Sequence, residues 1–141
     1  MSVKTQRTAA FTIVELLIVI VVIAILAAIT IVAYNGIQAR ARDTQRDTAV
    51  RQLKSAIEMY RVDNGVYPSV GTDNTGYAVS TLSTPLVPAY ISAIPGSLYQ
   101  YVRGPVANDS YAIMVMYEAK PACKTGANVS TGWWGSSYPV C

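Results

Sequence analysis

"TAAFTIVELLIVIVVIAILAAITIVAY", Thr8 to Tyr34, carries a single acid, Glu15, near the head of a long apolar run. From Leu16 to Ala39 no residue is charged over 24 positions. As a helix rising about 1.5 Å per residue, that run is about 36 Å long, enough to cross a hydrocarbon core of about 30 Å with some tilt. Isoleucine and valine dominate it. In water they are mediocre helix formers, but in lipid the backbone must satisfy its own hydrogen bonds, so helix is the available conformation. A carboxylate in such a segment is costly, roughly 3 kcal/mol near a helix centre on insertion scales. The presence of Glu15 therefore needs a physical reason.

N-terminal to the run, Met1–Ala10 is short, polar and basic, with Lys4 and Arg7 and no apolar stretch of its own. An ordinary secretory signal places its apolar stretch before the small-residue cleavage site. Here the small pair Ala9-Ala10 comes first, so a cut there leaves the apolar helix on the mature chain. Lys4 and Arg7 favour a cytoplasmic N-terminus, while Arg40, Arg42 and Arg46 beyond the span oppose it. The charge rule alone is indecisive.

C-terminal to the run, Val50, Leu53, Ile57 and Tyr60 recur at steps of three and four, a helical stripe. Arg46, Asp47, Arg51, Lys54, Glu58 and Arg61 fall on the wetter faces. No proline interrupts Ala33 to Asp63. The pattern predicts one long helix, its first half in lipid and its second half lying on a soluble domain. Asn35-Gly36 is its one local weakness, since an interior glycine costs about 1 kcal/mol relative to alanine. Asn64-Gly65 stops it, with Pro68 soon after.

Beyond Gly65 the helical period disappears and glycine, proline, serine and threonine punctuate short apolar pieces. Leu98, Gln100 and Val102 alternate with Tyr99, Tyr101 and Arg103. Tyr111, Ile113, Val115 and Tyr117 alternate with Ala112, Met114 and Met116. Both period-two patterns predict strands, joined by a hairpin loop over Arg103–Asp109. Helix and sheet can cover each other's apolar faces, which gives an α+β class.

The 141 residues carry a net charge of +3. The leader holds two of the 11 basic residues, so the rest carries nine against eight acids, too balanced to point to nucleic acid by charge. Two cysteines, Cys123 and Cys141, suit one disulfide in an oxidising compartment, with two free thiols as the other reading. Two thiolates and no histidine are too few for a zinc site. Without histidine the common general base is missing, and there is no nucleophile elbow or phosphate loop, so no catalytic residue and no cofactor are expected. The acids show no evident pairing in the soluble part. Trp133-Trp134 either binds a surface ligand or pins a loop. Asn108 and Asn128 sit in glycosylation tripeptides, and Asp109 and Glu118 form a thin candidate calcium set.

"AFTIVELLIVIVVIAILAAI", Ala10 to Ile29, resembles the processing site and N-terminal helix of type IV pilins and pseudopilins. The family pattern is a basic leader, a small residue, phenylalanine, threonine, two aliphatics, glutamate and a long apolar helix. "IEMYRVDNGVYPS", Ile57 to Ser69, resembles the end of the pilin helix and the turn beyond it. The resemblance implies a type IV pilin-like α+β fold, with a long N-terminal helix packed on a small antiparallel sheet and a disulfide-closed C-terminal loop. It implies that a prepilin peptidase cuts the Ala10–Phe11 bond and that Phe11 becomes an N-methylated terminus. Glu15 would be the assembly glutamate, and Cys123 and Cys141 would close the distal loop. Residues 1–10 would be the leader, 11–37 the transmembrane and filament-core helix, 38–63 its amphipathic half and 64–141 an extracellular β domain. Expected partners are copies of the chain in a helical filament, the cytoplasmic membrane before assembly, and the pilus assembly platform and motor. The surface ligand is not specified.

Three positions depart from the family pattern. Ala10 stands where glycine is usual, Ala24 where many pilins have glycine, and Val32 where many have a helix-breaking proline. The resemblance implies a structural subunit for motility, adhesion or DNA uptake, rather than an enzyme. A pseudopilin of a type II secretion or competence system and a single-span anchored binding domain that does not assemble are the alternatives. Within an assembly, the Phe11 amine and Glu15 of a neighbouring copy can pair, which offsets the cost of the carboxylate and sets an axial stagger.

Overall fold

The computed structural model describes residues 11–96, 99–135 and 137–141. Helix α1 spans Ile13–Asn64, and the chain divides into two compact units, one ending at Gln38 and the other covering Ala39–Cys141. In the first unit the apolar side chains are exposed, from Phe11 through Leu16, Ile20 and Ile25 to Ile37. By length and composition α1 can cross a membrane, and none of its most apolar window is buried inside the protein. Aliphatic side chains left uncovered in this way call for lipid or other protein around them.

The second unit is built on an antiparallel sheet in the order β1 (Tyr77–Ala78), β2 (Tyr99–Arg103), β3 (Tyr111–Val115) and β4 (Cys123–Ala127). In the register, Tyr101 stands opposite Tyr77 on one side and Ile113 on the other, and Ile113 stands opposite Thr125. The predicted helical stripe is the one that packs. Val50, Leu53, Ala56 and Ile57 are buried against Tyr99, Tyr101, Tyr111, Ile113 and Val115, with Tyr60 half-buried beside them. The larger aliphatic side chains among these, Val50, Leu53 and Ile57, each contribute about 1.5–3 kcal/mol on removal from water. The irregular stretch between α1 and β2 adds a 3₁₀ turn (Val79–Leu82) and a short helix α2 (Ser83–Leu86), which deliver Val79, Leu82 and Leu86 to the same core.

β2 spans Tyr99–Arg103 and β3 ends at Val115, short of the expected Tyr117, while Leu98 lies outside the described residues. Period two correctly places both strands, but it predicts one wet face for β3, and all five of its residues are buried. The second face is covered by the chain's own C-terminal loop. Val102 and Ala112 pack with Trp133, and Val129 and Trp134 lie half-buried beside them.

Two glycines carry backbone requirements. Gly65 has φ +75° and donates its N–H to the Arg61 carbonyl at 2.8 Å, ending α1 with a left-handed residue. Gly126 faces β3 so closely that a Cβ there would lie 2.1 Å from the Tyr111 carbonyl oxygen. The loop after β4 returns to it. Lys124 N–H donates to the Pro139 carbonyl at 2.9 Å, Cys141 N–H donates to the Lys124 carbonyl at 3.0 Å, and the Cys123–Cys141 disulfide locks the return with Cα atoms 5.3 Å apart. The fold is the pilin fold: a long N-terminal helix, a small antiparallel sheet and a disulfide-closed C-terminal loop.

Candidate processing and assembly site

At the head of α1 the sequence Thr12-Ile-Val-Glu15 forms a capping box. The Glu15 carboxylate accepts the Thr12 N–H at 2.9 Å and the Thr12 hydroxyl at 2.7 Å, and the Glu15 N–H reaches back to that hydroxyl at 3.3 Å. Helical N-termini leave donors without intrahelical partners, and a Thr-x-x-Glu pair satisfies them reciprocally. The signature is legible in the sequence, yet the apolar run draws attention to the cost of Glu15 and away from its local partner. Phe11 precedes the box outside the helix and is 84% exposed. Ala10, the residue before the expected cut, lies with residues 1–9 outside the described residues.

In the second unit Asp43, Asp47, Asp73, Asp109 and Glu118 are paired with cations rather than with one another. Asp43 is buried and accepts the backbone N–H groups of Glu118 and Ala119 at 2.9 and 2.8 Å. Arg46 bridges Asp43 at 3.0 Å and also contacts Glu118, which takes Arg42 at 2.6 Å. Asp47 accepts the Tyr117 hydroxyl and the Lys120 ammonium, and that ammonium lies 3.9 Å from the centre of the Tyr117 ring. This cluster clamps the turn after β3 onto α1. It corrects the expectation that Arg46 and Asp47 occupy wet faces: the neighbouring turn dries Arg46 and partly covers Asp47. Burial pushes the Asp43 carboxyl up, but its two backbone donors with the charges of Arg46 and Lys120 outweigh that and hold it below the usual carboxylate range.

Arg61 pairs with Asp109 across the far end of the sheet, and Arg103 holds Asp73 at 2.5 Å. Glu58 accepts the Tyr67 hydroxyl at 3.2 Å. Burial pushes Tyr67 up to about 12, with the nearby Glu58 charge adding to it. Asp109 and Glu118, the candidate calcium acids, are thus both engaged by arginines, and no cluster of three potential metal-binding side chains occurs among the described residues.

The tryptophans pin the loop rather than present a binding surface. Trp133 is buried and its indole N–H donates to Asn74 Oδ1 at 3.0 Å, while Trp134 donates to Gln100 Oε1 at 2.7 Å. Asn128, in one glycosylation tripeptide, donates its amide to the Asp109 carbonyl at 3.0 Å. Ser110, in the other, is buried. The residue that sequence reasoning missed is Lys124. Its buried ammonium donates to the carbonyls of Thr131, Trp133 and Gly135 at 3.2, 3.0 and 3.3 Å, three donors for three acceptors. No local pattern announces it, because the acceptors are backbone atoms of a loop.

The prokaryotic N-terminal methylation motif matches residues 5–31. Type II secretion system core protein G of Vibrio cholerae is 31% identical over 109 residues, which cover 70% of this chain and 73% of that protein. The type IV major pilin protein PilE of Neisseria gonorrhoeae is 36% identical over 74 residues, 52% of this chain and 42% of the pilin. A fimbrial protein of Neisseria meningitidis is 39% identical over 71 residues, 50% of this chain and 41% of that protein. The chain thus spans less than half the length of these two Neisseria relatives. No solved structure matches at a significant level. With the fold described above, the chain belongs to the type IV pilin-like family, which includes both pilins and the secretion-system pseudopilins.

Proposed function

We propose that the chain is a type IV pilin, a structural subunit that waits in the cytoplasmic membrane and polymerises into an extracellular filament. In this reading a prepilin peptidase removes residues 1–10 at the Ala10–Phe11 bond. Phe11 is then N-methylated, and residues 11–37 pass from the membrane into the filament core. Residues 38–63 and 64–141 form the exported head. The partners are the peptidase, an assembly platform with its motor, and copies of the chain. The role is structural, not catalytic. The observation that carries the reading is the head of α1: exposed Phe11 immediately before the Thr12–Glu15 box, followed by a long helix of uncovered aliphatic side chains. An amine created at Phe11 sits one turn from a carboxylate already held in place.

Mass spectrometry of the surface-exposed protein tests this. The expected mature chain begins at a methylated Phe11. A chain beginning at Met1, or one lacking the apolar helix, overturns it. The second reading, a pseudopilin of a secretion system, is favoured by the longer match to the Vibrio core protein G. Long fibres containing the chain support the pilin; short periplasmic assemblies support the pseudopilin.

A further inference from the structure

The loop after β4 hydrogen-bonds its backbone in alternation. The Trp133 N–H donates to the Ser130 carbonyl at 3.4 Å and the Gly135 N–H to the Gly132 carbonyl at 3.2 Å, which closes two successive turns. The carbonyls between them, those of Thr131, Trp133 and Gly135, all accept from Lys124 Nζ, at 3.2, 3.0 and 3.3 Å. Carbonyls turned away from water need a donor, and here three of them meet at one point.

The convergence has a backbone cause. Trp134 has φ +53° and Gly135 φ +73°, two consecutive residues in the left-handed region. Glycine adopts it freely, but a bulky aromatic residue there is strained and persists only where its surroundings over-determine it. The Trp134 indole N–H is held by Gln100 Oε1 at 2.7 Å, and Gly76 makes room for the ring: a Cβ on Gly76 would lie 2.9 Å from Trp134 Nε1. The backbone on either side of the strained residue is held by a positive charge. Lys124 is 3% exposed, and among the described residues it forms no salt bridge. A buried cation without a counter-ion is costly unless oxygen dipoles replace its water. Three carbonyls facing three ammonium N–H groups do so.

We propose that the 131–135 backbone is a cation cradle and that Lys124 is its tethered ligand. The turn takes this shape around an ammonium and opens without one. The ligand class it accepts is a primary alkylammonium, whose three donors match the three carbonyls. The Cys123–Cys141 disulfide fastens the end of the loop, whereas the ammonium sets the turn that seats Trp133 against Val102 and Ala112.

The test supplies the ligand from solution to the full-length chain in detergent micelles. Lys124→Ala keeps Cβ and deletes the atoms of a propylammonium. It should melt about 10 °C lower than the unaltered chain. Trp133 and Trp134 are the chain's two tryptophans, so a red shift in indole emission reports the opening of this turn. Propylammonium should raise the melting temperature with concentration and reverse the red shift, while tetramethylammonium, a cation without N–H donors, should do neither. Lys124→Met, neutral and with a stem in the vacated space, should be destabilised and gain nothing from propylammonium. Absence of rescue in folded Lys124→Ala, or equal rescue by both cations, overturns the cradle. So does a Lys124→Met chain with unaltered melting and emission. The unaltered chain gives a measurement that does not depend on how the variants fold. By NMR, the Lys124 ammonium protons should exchange with water about tenfold more slowly than those of the exposed Lys120. Equal exchange at the two lysines overturns the proposal.

Discussion

In the isolated subunit the Glu15 carboxylate is already occupied, accepting two hydrogen bonds from Thr12 at 2.9 and 2.7 Å. This changes what substitution there reports. Glu15→Ala removes the second half of a capping box and also the carboxylate that an incoming Phe11 amine would meet. Thr12→Ala removes only the hydroxyl half of the cap, worth about 1 kcal/mol. If pairing with the amine drives assembly, Glu15→Ala abolishes filaments and Thr12→Ala leaves them. Membrane insertion survives both, because each change makes the segment more apolar. Pelleting of sheared filaments, with membrane-fraction levels as control, separates the two. Equal loss in both variants would assign Glu15 to capping alone. Lys124 shows the complementary case, a charge whose role is wholly internal. Its ammonium replaces water at three loop carbonyls and fixes the segment that carries Trp133 over the sheet.

At the scale of elements, the turn after β3 is fastened to α1 through carboxylates, and this makes its attachment pH-dependent. Asp43 titrates below the usual carboxylate value despite its burial, and Glu118 does so because Arg42 bonds to it, with Arg46 assisting. A folded-state value below the unfolded one means stability that is present above the unfolded value, about 4, and lost as pH falls through the folded value. The protein is therefore expected to lose thermal stability on acidification below about pH 4. Asp43→Asn should be less stable at neutral pH and lose less between pH 5 and pH 3. Melting curves across that range check it; parallel curves for both proteins would remove Asp43 from the account. These fasteners were not legible in the sequence, since helical periodicity assigns Arg46 and Asp47 to water and cannot see a turn some 70 residues away. What was legible followed from period: the apolar run, the Val50–Leu53–Ile57 stripe, β2 and β3. The two-residue β1 offers no period at all, and the "CKTGA" of β4 has no apolar alternation. The double-sided burial of β3 depends on a loop that arrives later in the chain.

Across the whole molecule, α1 is helical from Ile13 to Asn64, including Tyr34–Ile37, where Asn35-Gly36 is the weakest local sequence. The family's usual glycine and proline are replaced by Ala24 and Val32, so a filament that stretches this helix has few places to open. One rival is the turn at Thr30, whose hydroxyl bonds the carbonyls of Leu26 and Ala27 at 2.9 and 3.0 Å and competes for their lone pairs. That hydroxyl leaves the backbone bonds of the turn in place, whereas Gly36 lowers the cost of leaving helix by about 1 kcal/mol. Opening in the assembled fibre is therefore expected first at residues 34–37. Gly36→Ala is a clean probe, because a Cβ there meets nothing within 4 Å. If the helix opens locally at this point, the substitution should slow amide exchange over 34–37 in fibres about fivefold, the equivalent of about 1 kcal/mol, and leave exchange around Ala24 unchanged. Strong protection of 34–37 in the unaltered fibre, with fast exchange near Ala24 instead, would place the hinge a full three turns earlier. It would then follow that packing between neighbouring helices, rather than the local cost of glycine, decides where the backbone yields.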